Sequence, residues 1–350
     1  MASSLGNKQI TAAALMLLAV VGMTDCIHLA LAARQPGGFG VGEEAMKARY
    51  ESWMAEHGRT YKDEAEKARR FQVFKENAEF IDRSNAVAGR KYHLATNEFT
   101  DMTHDEFMAK YTGFKPLPSG ANKLHGFKYE NFTLSSDDQQ AVDWRQSGAV
   151  TGVKNQGGCG CCWAFSAVGA VEGINAITTG QLVSLSEQQL LDCDTNGNNG
   201  CSGGNMDRAF NYIINDAGGL ATEDSYPYTG TQGTCQSFQP AVTINGYQGV
   251  PSGDEDALAA AVANQPVSVG VDGSTFQSYG GGIFPGDGCG TDITHAVTAV
   301  GYGVDQDGTQ YWLLKNSWGT TWGEAGYMRL ERGTGACGIA QDAWYPTASA

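Results

Sequence analysis

The segment Gln156–Ser166, which reads QGGCGCCWAFS, places Cys162 at the boundary between a glycine-rich turn and an apolar run with helical spacing. This pattern predicts a helix that begins near Cys162. A thiol at a helix N-terminus lies among unpaired N–H groups, and together with the helix dipole these groups favour the thiolate. The segment therefore predicts a cysteine nucleophile for acyl transfer. Gln156 is a candidate hydrogen-bond donor to the oxyanion.

The base that such a nucleophile needs is restricted by the histidine content. The chain has six histidines: His28, His57, His93, His104, His125 and His295. If the stretch that contains Cys162 works alone with an imidazole, His295 is the one candidate there. It lies in a β-branched run that is typical of a strand. A second strand-like run ends at Asn316, whose neutral amide could orient an imidazole without neutralising a thiolate–imidazolium pair.

The N-terminus predicts a secretory signal peptide over residues 1–33. Lys8 precedes an apolar run from about Thr11 to Met23, and small residues follow near Ala30 to Ala33. This run is too short for a transmembrane helix. We expect a soluble protein of the secretory pathway, with a vacuole or lysosome as the first expected location and the extracellular space as the second.

Acidic charge is concentrated in the second part of the chain. From Ala141 onward there are 6 Lys and Arg against 20 Asp and Glu, whereas the first 140 residues have 17 against 18. The corresponding net charges are −14 and −1. Such an acidic protein should bind neither nucleic acid nor anionic membranes. Protonation of its carboxylates in an acidic lumen would reduce its self-repulsion.

The N-terminal third is helical in pattern from about Glu43 to Ala88. Six residues recur there at intervals of three or four and share one helix face: Glu66, Arg70, Phe74, Asn77, Ile81 and Asn85. An ordinary amphipathic helix is one interpretation. The mixture of side chains favours a second, in which the face forms a polar packing network. The following stretch, 111–138, contains prolines and glycines and predicts an extended, cleavable linker.

Beyond residue 141, helical and strand-like segments are segregated. Helical patterns at about 162–178, 186–192 and 204–216 precede strand-like patterns at about 267–272, 295–303, 310–316 and 325–331. This order predicts a helical half and a β half that meet across a cleft. Cys162 would lie on one side of the cleft and His295 on the other.

Four blocks of the sequence resemble papain-like cysteine peptidase precursors. They are 156–166, 199–204 (NGCSGG), His295 within its strand, and 315–319 (KNSWG). Cys162, His295 and Asn316 have the order and separations typical of that family. The six-residue helix face resembles the family's propeptide signature, and Asn97, Phe99 and Asp101 resemble a second propeptide motif. Ala95 stands where that motif usually has glycine.

The resemblance implies an α+β papain-like fold with a helical left domain, a β-barrel-like right domain and a cleft between them, preceded by a mainly helical propeptide. The implied boundaries are 34–136 for the inhibitory propeptide and 137–350 for the mature peptidase, with a helical half at about 137–247 and a β half at about 248–342. The implied protein is a monomeric cysteine endopeptidase, made as a latent zymogen, that degrades proteins in an acidic compartment. It would need no cofactor or metal. Its partners would be protein and peptide substrates, its own propeptide and cystatin-type inhibitors.

The resemblance also implies a role for each site residue. Cys162 would be the nucleophile of a thioester mechanism, His295 its partner and Asn316 the residue that orients His295, with Trp318 shielding that hydrogen bond. Gln156 and the Cys162 N–H would form the oxyanion hole. The implied substrate-binding residues are Gly203, Gly204, Asn205, Met206, Gly270, Ile293, Thr294, Ala296 and Asp342. Two alternatives stay open for Asp342: it makes the pocket tolerant of basic residues, or it points to solvent.

Eight cysteines follow the predicted signal. The resemblance implies the disulfides Cys159–Cys201, Cys193–Cys235 and Cys289–Cys337, which leaves Cys161 and Cys162. The family usually has Ser or Ala at the position of Cys161. This residue could be a harmless small side chain that points away from the cleft, or it could form an inactivating vicinal disulfide. Disulfide geometry disfavours the second alternative.

Two other functions compete with proteolysis as interpretations of the sequence. A catalytically silent binding or storage protein would be expected to lose the nucleophile, the base or the oxyanion donor, yet all are present. The second is a redox dithiol or half of a metal site at 159–162. Against it, Cys159 has an implied disulfide partner in Cys201, and no second Cys/His pair has ligand spacing. Asn131 begins the one N-glycosylation sequon, at the predicted propeptide junction.

Overall fold

The computed structural model describes residues 42–117, 127–132 and 141–348. The predicted signal peptide lies outside the described residues. The chain forms two compact units, Met1–Ser52 and Trp53–Ala350. Helix α1 (Glu43–Glu56) begins in the first unit, where Lys47 contacts Glu43 and Glu44. None of the helices described is long and apolar enough to cross a membrane.

The propeptide region of the second unit contains helix α2 (Glu64–Asn85), strand β1 (Tyr92–Leu94) and helix α3 (His104–Tyr111). Asp63 caps α2 by accepting the backbone N–H of Glu66 at 2.7 Å. The continuous helical pattern predicted from about 43 to 88 is therefore interrupted. Gly58, at φ 60°, lies in the break between α1 and α2, where the left-handed conformation favours glycine.

The helical half follows the sequence prediction closely. Its helices are α4 (Cys162–Thr179), α5 (Glu187–Cys193) and α6 (Met206–Tyr212), which continues as a π-helical turn over Ile213–Ala217. Helix α4 packs against the β half with two glycines at the contact. A Cβ at Gly169 would lie 2.7 Å from Thr298 Oγ1, and one at Gly173 would lie 2.5 Å from the Pro266 ring. Small residues are therefore needed where the two halves meet.

The described strands form one nine-stranded sheet. The strands after β1 are β2 (Val142–Asp143), β3 (Gly246–Gly249), β4 (Val267–Val271), β5 (Tyr279–Phe284), β6 (His295–Val304), β7 (Gln310–Lys315), β8 (Tyr327–Glu331) and β9 (Ala343–Thr347). Their order in the sheet is β1-β5-β8-β7-β6-β4-β9-β3, with β2 paired to β6. Strands β5 and β8 pair in parallel, and β1 of the propeptide extends the sheet by pairing with β5. The predicted α+β architecture is confirmed.

Helix α7 (Glu255–Asn264) lies within the β half, where only strand-like segments were predicted. The signal for it was present in the sequence. Asp254 accepts the backbone N–H of Ala257 at 2.8 Å, Glu255 and Asp256 occupy the first turn, and alanines fill the interior. A capping residue, acidic residues in the first turn and alanines are all typical of a helix.

Candidate active site

Cys162 is the first residue of α4 and has no exposed surface. The backbone N–H groups of Ala296, Trp163 and Cys162, and that of Gly113 from the propeptide, favour the thiolate form of its sulfur. Burial outweighs these donors and raises the pKa of the Cys162 thiol to about 12. The expectation of a stabilised thiolate therefore does not hold while the propeptide is in place, because the loss of hydration exceeds the benefit of the helix N-terminus.

His295 begins strand β6 and is fully buried. Its Nε2 lies 2.8 Å from Asn316 Oδ1, and the same oxygen accepts the Ser317 N–H at 2.8 Å. An oxygen held in this way can only accept, so Nε2 carries the proton and Nδ1 is left as the base. Nδ1 has no hydrogen-bond partner among the described residues. Burial lowers the pKa of His295 to about 4, so the imidazole is neutral in this state.

Trp318 covers the imidazole. Its ring stacks on His295 with centroids 4.5 Å apart and an angle of 29° between the planes. Phe99 and Phe107 of the propeptide contact Trp318 edge-on at 5.8 and 5.1 Å. The propeptide thus packs directly on the residue that shields the His295–Asn316 hydrogen bond.

Gln156 is fully buried and its amide orientation is fixed. Ser317 Oγ donates to Gln156 Oε1 at 2.7 Å, which directs Nε2 towards Cys159 O at 2.7 Å and Tyr111 O at 3.3 Å. Trp318 Nε1 also donates to Tyr111 O, at 3.2 Å. The propeptide carbonyl of Tyr111 therefore accepts a hydrogen bond from the side-chain amide of Gln156, the candidate oxyanion donor. Sequence reasoning missed Ser317, although it adjoins Asn316.

The propeptide crosses the site in extended form. Gly113 N and Phe114 N donate to Thr294 O at 3.0 and 2.9 Å. Gly204 N donates to Gly113 O at 3.0 Å, and Lys115 N donates to Gly204 O at 2.8 Å. The extended form predicted for the stretch that starts at Tyr111 is found here after α3 ends, and its backbone groups are paired with the mature region. The rest of the predicted linker, except 127–132, lies outside the described residues.

The predicted substrate-binding residues surround this strand. A Cβ at Gly203 would lie 2.3 Å from Gly113 O, so glycine is required for the close approach. Phe114 is buried in one apolar cluster with Met206, Ile293 and Ala296. A Cβ at Gly270 would lie 3.3 Å from the Phe114 ring and 2.6 Å from Ile293. The propeptide thus fills the predicted pocket with an aromatic side chain.

Asp342 does not simply point to solvent. The Trp344 indole N–H donates to its carboxylate, and burial raises its pKa, which the neighbouring Asn205 side chain opposes. Asn205 Nδ2 also donates to Lys115 O at 3.2 Å. Asp342 therefore contacts a residue that in turn binds the strand in the cleft.

Cys161 and Cys162 are the free cysteines of the described chain, and both are buried. Cys161 Sγ lies 3.1 Å from Tyr228 Oη, and Tyr228 donates its own proton to Gln156 O at 2.7 Å. Cys161 is thus the donor to Tyr228, and burial raises the pKa of its thiol. The structure pairs the other six cysteines as Cys159–Cys201, Cys193–Cys235 and Cys289–Cys337.

A buried group of charges lies behind the site, and sequence reasoning did not find it. Lys154 Nζ contacts Glu172 at 3.1 Å and Glu187 at 2.8 Å. Burial raises the pKa of Glu187 to about 8, although Lys154 opposes this. Lys315, which directly precedes Asn316, donates to Thr151 Oγ1 at 2.8 Å. The group joins α4 and α5 to the end of β7, directly before Asn316.

The helix face of the propeptide is a polar network, as the second interpretation predicted. Arg70 donates to both carboxylate oxygens of Glu106, at 2.6 and 2.9 Å. Asn77 donates to Thr100 O and Met102 O, and Asn85 exchanges hydrogen bonds with the Leu94 backbone. Phe74 and Ile81 are buried, and Glu66 adds a charge near Arg70.

The second propeptide motif contacts the mature region. Asn97 Nδ2 donates to Gln277 O at 2.7 Å, and Phe99 packs on Trp318. Asp101 accepts the Tyr61 hydroxyl at 2.7 Å. Ala95 lies close to Gly280, where an added Cβ would be 2.7 Å from that of Ala95. The alanine therefore occupies the space that a glycine on β5 leaves free.

Cys162, His295 and Asn316 lie at the junction of a helical half and a β half, and the chain's own N-terminal region covers them. This arrangement defines the class of thiol protease zymogens. The chain belongs to the papain family. Residues 139–347 match the family described as papain family cysteine protease, and residues 50–107 match the cathepsin propeptide inhibitor domain.

Individual relatives agree with this assignment. The chain is 51% identical over 341 residues to the senescence-specific cysteine protease SAG39 of Oryza sativa, covering 95% of this chain and 98% of that protein. The structure resembles the recombinant stem bromelain precursor at 45% identity with a TM-score of 0.78, covering 87% and 99% of the two chains. It also resembles the proform of the Amb a 11 cysteine protease, a ragweed pollen allergen, at 42% identity with a TM-score of 0.79, covering 88% and 96%. The protein is a cysteine protease made as a zymogen, and a silent binding or storage function is not favoured.

Proposed function

We propose that the mature enzyme is an endopeptidase that uses Cys162 as its nucleophile and His295 as its base. The observation that carries this proposal is the His295 geometry: Asn316 fixes the proton on Nε2, and Nδ1 has no partner in the described structure. Release of the propeptide hydrates the site. The pKa of the thiol then falls and that of the imidazole rises, so the proton moves from sulfur to Nδ1.

Each later step uses a group already in place. The thiolate attacks the peptide carbonyl, and the oxyanion receives Gln156 Nε2 and the Cys162 N–H. His295 protonates the leaving amine, which leaves a thioester on Cys162. His295 then takes a proton from water, and the resulting hydroxide attacks the thioester carbon. The C–S bond breaks, which releases the acid and regenerates the thiolate–imidazolium pair.

The test is hydrolysis of a fluorogenic dipeptide amide at about pH 5 with reductant, and its loss after treatment with a thiol-directed epoxide. Mass spectrometry should locate the adduct on Cys162. Cys162→Ala should abolish activity, whereas the matched variant Cys161→Ser should remain active. Activity that persists in Cys162→Ala, or an adduct on Cys161, would overturn the assignment.

For substrate selection we propose a pocket that takes the side chain two residues before the scissile bond and prefers bulky apolar groups. Phe114 supports this preference because its ring occupies the cluster of Met206, Ile293 and Ala296. The Asp342 carboxylate would additionally tolerate Arg or Lys. The ratio of kcat/KM for Arg against Leu substrates should fall in Asp342→Ala and in Asp342→Asn. An unchanged ratio contradicts the idea.

We further propose that maturation leaves residues 137–350 as a monomer that acts in an acidic vacuole or lysosome and binds cystatin-type inhibitors. Three disulfides support folding in an oxidising compartment. Asn131 is exposed, and a glycan there would leave with the propeptide. N-terminal sequencing of the matured protein tests the boundary, and vacuolar fractionation tests the location.

A further inference from the structure

Residues 127–132 form a turn that packs on the β half, although the sequence there predicts only a linker. Glu130 N donates to Phe127 O at 3.1 Å and Phe132 N donates to Tyr129 O at 2.9 Å, which closes the turn. Tyr129 is only 8% exposed. A tyrosine this deeply buried in a short segment indicates a specific binding contact.

The polar groups that receive this segment are held by the mature region itself. Tyr129 Oη donates to Gln265 Oε1 at 2.9 Å, and Gln265 Nε2 donates to Pro346 O at 2.9 Å. Because the amide nitrogen is engaged by Pro346, the oxygen is directed at Tyr129. Gln265 has no exposed surface. The side-chain oxygen of Gln265 is therefore already oriented to accept a hydrogen bond from a hydroxyl group.

A second pair of groups binds the backbone before Tyr129. Lys128 N donates to Gln248 Oε1 at 2.8 Å and to Tyr345 Oη at 3.2 Å. Tyr345 in turn donates its hydroxyl proton to Gln248 Oε1 at 2.6 Å. Gln248 and Tyr345 thus hold each other in place, and the side-chain oxygens of both accept a hydrogen bond from the Lys128 N–H.

Aromatic contacts complete the fit. The Tyr129 and Tyr345 rings lie 5.3 Å apart, and Phe127 meets Tyr345 edge-on at 6.1 Å. Lys128 Nζ lies 5.4 Å from the Tyr129 ring centroid. Burial raises the pKa of Tyr129 to about 12, so its hydroxyl remains a donor at any physiological pH.

This surface belongs to different elements from the cleft. Gln248 is on β3, Tyr345 is on β9, and Gln265 follows α7. Strand β9 is separated from β6, which carries His295, by β4. The propeptide is therefore held at this surface in addition to the cleft, where Thr294 and Gly204 bind it, and to the edge of β5, where β1 pairs. A ligand held at two linked sites leaves more slowly than one held at either alone.

We propose that Gln248, Gln265 and Tyr345 form a second propeptide-binding site, which accepts the tyrosine turn Phe127–Phe132 and delays release of the propeptide during maturation. This proposal rests on the proposed mature boundary near residue 137. On that boundary the turn leaves with the propeptide, and the site is empty in the mature enzyme.

The test compares acid activation of the full zymogen with that of three variants. Tyr129→Phe loses one hydrogen bond and should activate roughly fivefold faster. Tyr129→Ala also loses the ring contacts and should activate more than about tenfold faster. Phe80→Ala is the matched control, because Phe80 is 54% exposed and lies on α2, outside the turn and the cleft, and it should activate at the rate of the unaltered chain. Equal rates for all four proteins would overturn the proposal.

The mature enzymes obtained from these zymogens should be identical, because maturation removes the altered residues. Their kcat/KM values should therefore be equal. N-terminal sequencing that finds residues 127–132 in the mature protein would also overturn the proposal. Amide hydrogen exchange over 127–132 can be measured in the Cys162→Ala zymogen, because it needs no catalysis. It therefore tests binding of the turn even if the proposed catalytic mechanism is wrong. Protection should be lost in Tyr345→Phe, which retains the ring. Unchanged protection there contradicts the proposed site.

Discussion

Phe114 and Gly204 form an isolated parallel β-bridge across the cleft. In this arrangement the Gly113 N–H donates to Thr294 O at 3.0 Å, while the Gln156 amide donates to the carbonyl of Tyr111, two residues earlier, at 3.3 Å. The backbone of the propeptide is thus hydrogen-bonded to both sides of the cleft, which explains how the propeptide is held there.

Gly113→Ala should weaken latency. A Cβ at this position would lie 2.1 Å from Gly160 O, which is backbone and cannot move aside cheaply. An overpacked contact costs about 1–3 kcal/mol, so acid activation should accelerate by roughly tenfold or more. The measurement is the rate at which activity appears after a shift to about pH 4.5. The matured enzyme lacks Gly113 and serves as its own control. An unchanged rate contradicts the close approach of these two backbones.

Alkylation of Cys162 should distinguish the zymogen from the mature enzyme. In the zymogen the raised pKa of the thiol, about 12, keeps it protonated at every pH below that value. Iodoacetamide should therefore react at least about a hundredfold more slowly with the zymogen than with the mature enzyme at pH 5 to 7. The Cys162→Ala zymogen provides the background rate. Similar rates for zymogen and mature enzyme would show that the propeptide does not control ionisation of the thiol.

Replacement of Cys161 should have little effect on oxidation. Its thiol is directed to Tyr228, so we expect no vicinal disulfide with Cys162. Cys161→Ser keeps a donor to Tyr228 and should retain kcat/KM within about twofold, whereas Cys161→Ala loses it and should lower kcat slightly through Gln156. Peroxide should inactivate wild type and Cys161→Ser equally, with the same recovery by reductant. Resistance of Cys161→Ser to peroxide would favour the redox alternative.

The Arg70–Glu106 pair should persist through acid activation. The hydrogen bonds from Arg70 lower the pKa of Glu106 from 4.5 to about 2. Because the pKa of Glu106 is lower in the folded than in the unfolded protein, the pair stabilises the fold at pH values above 4.5. That stabilisation is lost progressively as the pH falls from 4.5 to about 2. In the Cys162→Ala zymogen, Glu106→Gln should therefore lower the free energy of unfolding at pH 7 and pH 5 alike, by about 1 kcal/mol because the pair is partly exposed. The difference should vanish near pH 2. A difference already absent at pH 5 would make this pair part of the acid trigger.

Local signals predicted much of the fold. The glycine turn before Cys162 and the apolar run after it define a helix start that the structure places at Cys162. The β-branched run at His295 likewise predicts β6, whose bounds are His295–Val304. Helix α7 was missed because its run of alanines shows no clear amphipathic period of about 3.6 residues, although Asp254 marked its start.

Contacts between distant segments could not be predicted from local patterns. The positions of Phe114 against Gly270 and of Tyr129 against Gln265 depend on how the propeptide folds back over the β half. Burial of the thiol likewise depends on tertiary packing, and it reversed the expected direction of the Cys162 pKa. Helix position alone favours ionisation, but burial decides it.

The pairing of β1 with β5 has a consequence for colloidal behaviour after maturation. Tyr92 and Gly282 are partners at the end of the sheet, so departure of the propeptide uncovers β5 as an edge strand. Exposed edges recruit other chains and promote aggregation. Here Gly281 and Gly282 adopt φ of 154° and 89° and bend the backbone away from a regular ladder. The same glycines that admit the propeptide strand make the exposed edge a poor template for self-association.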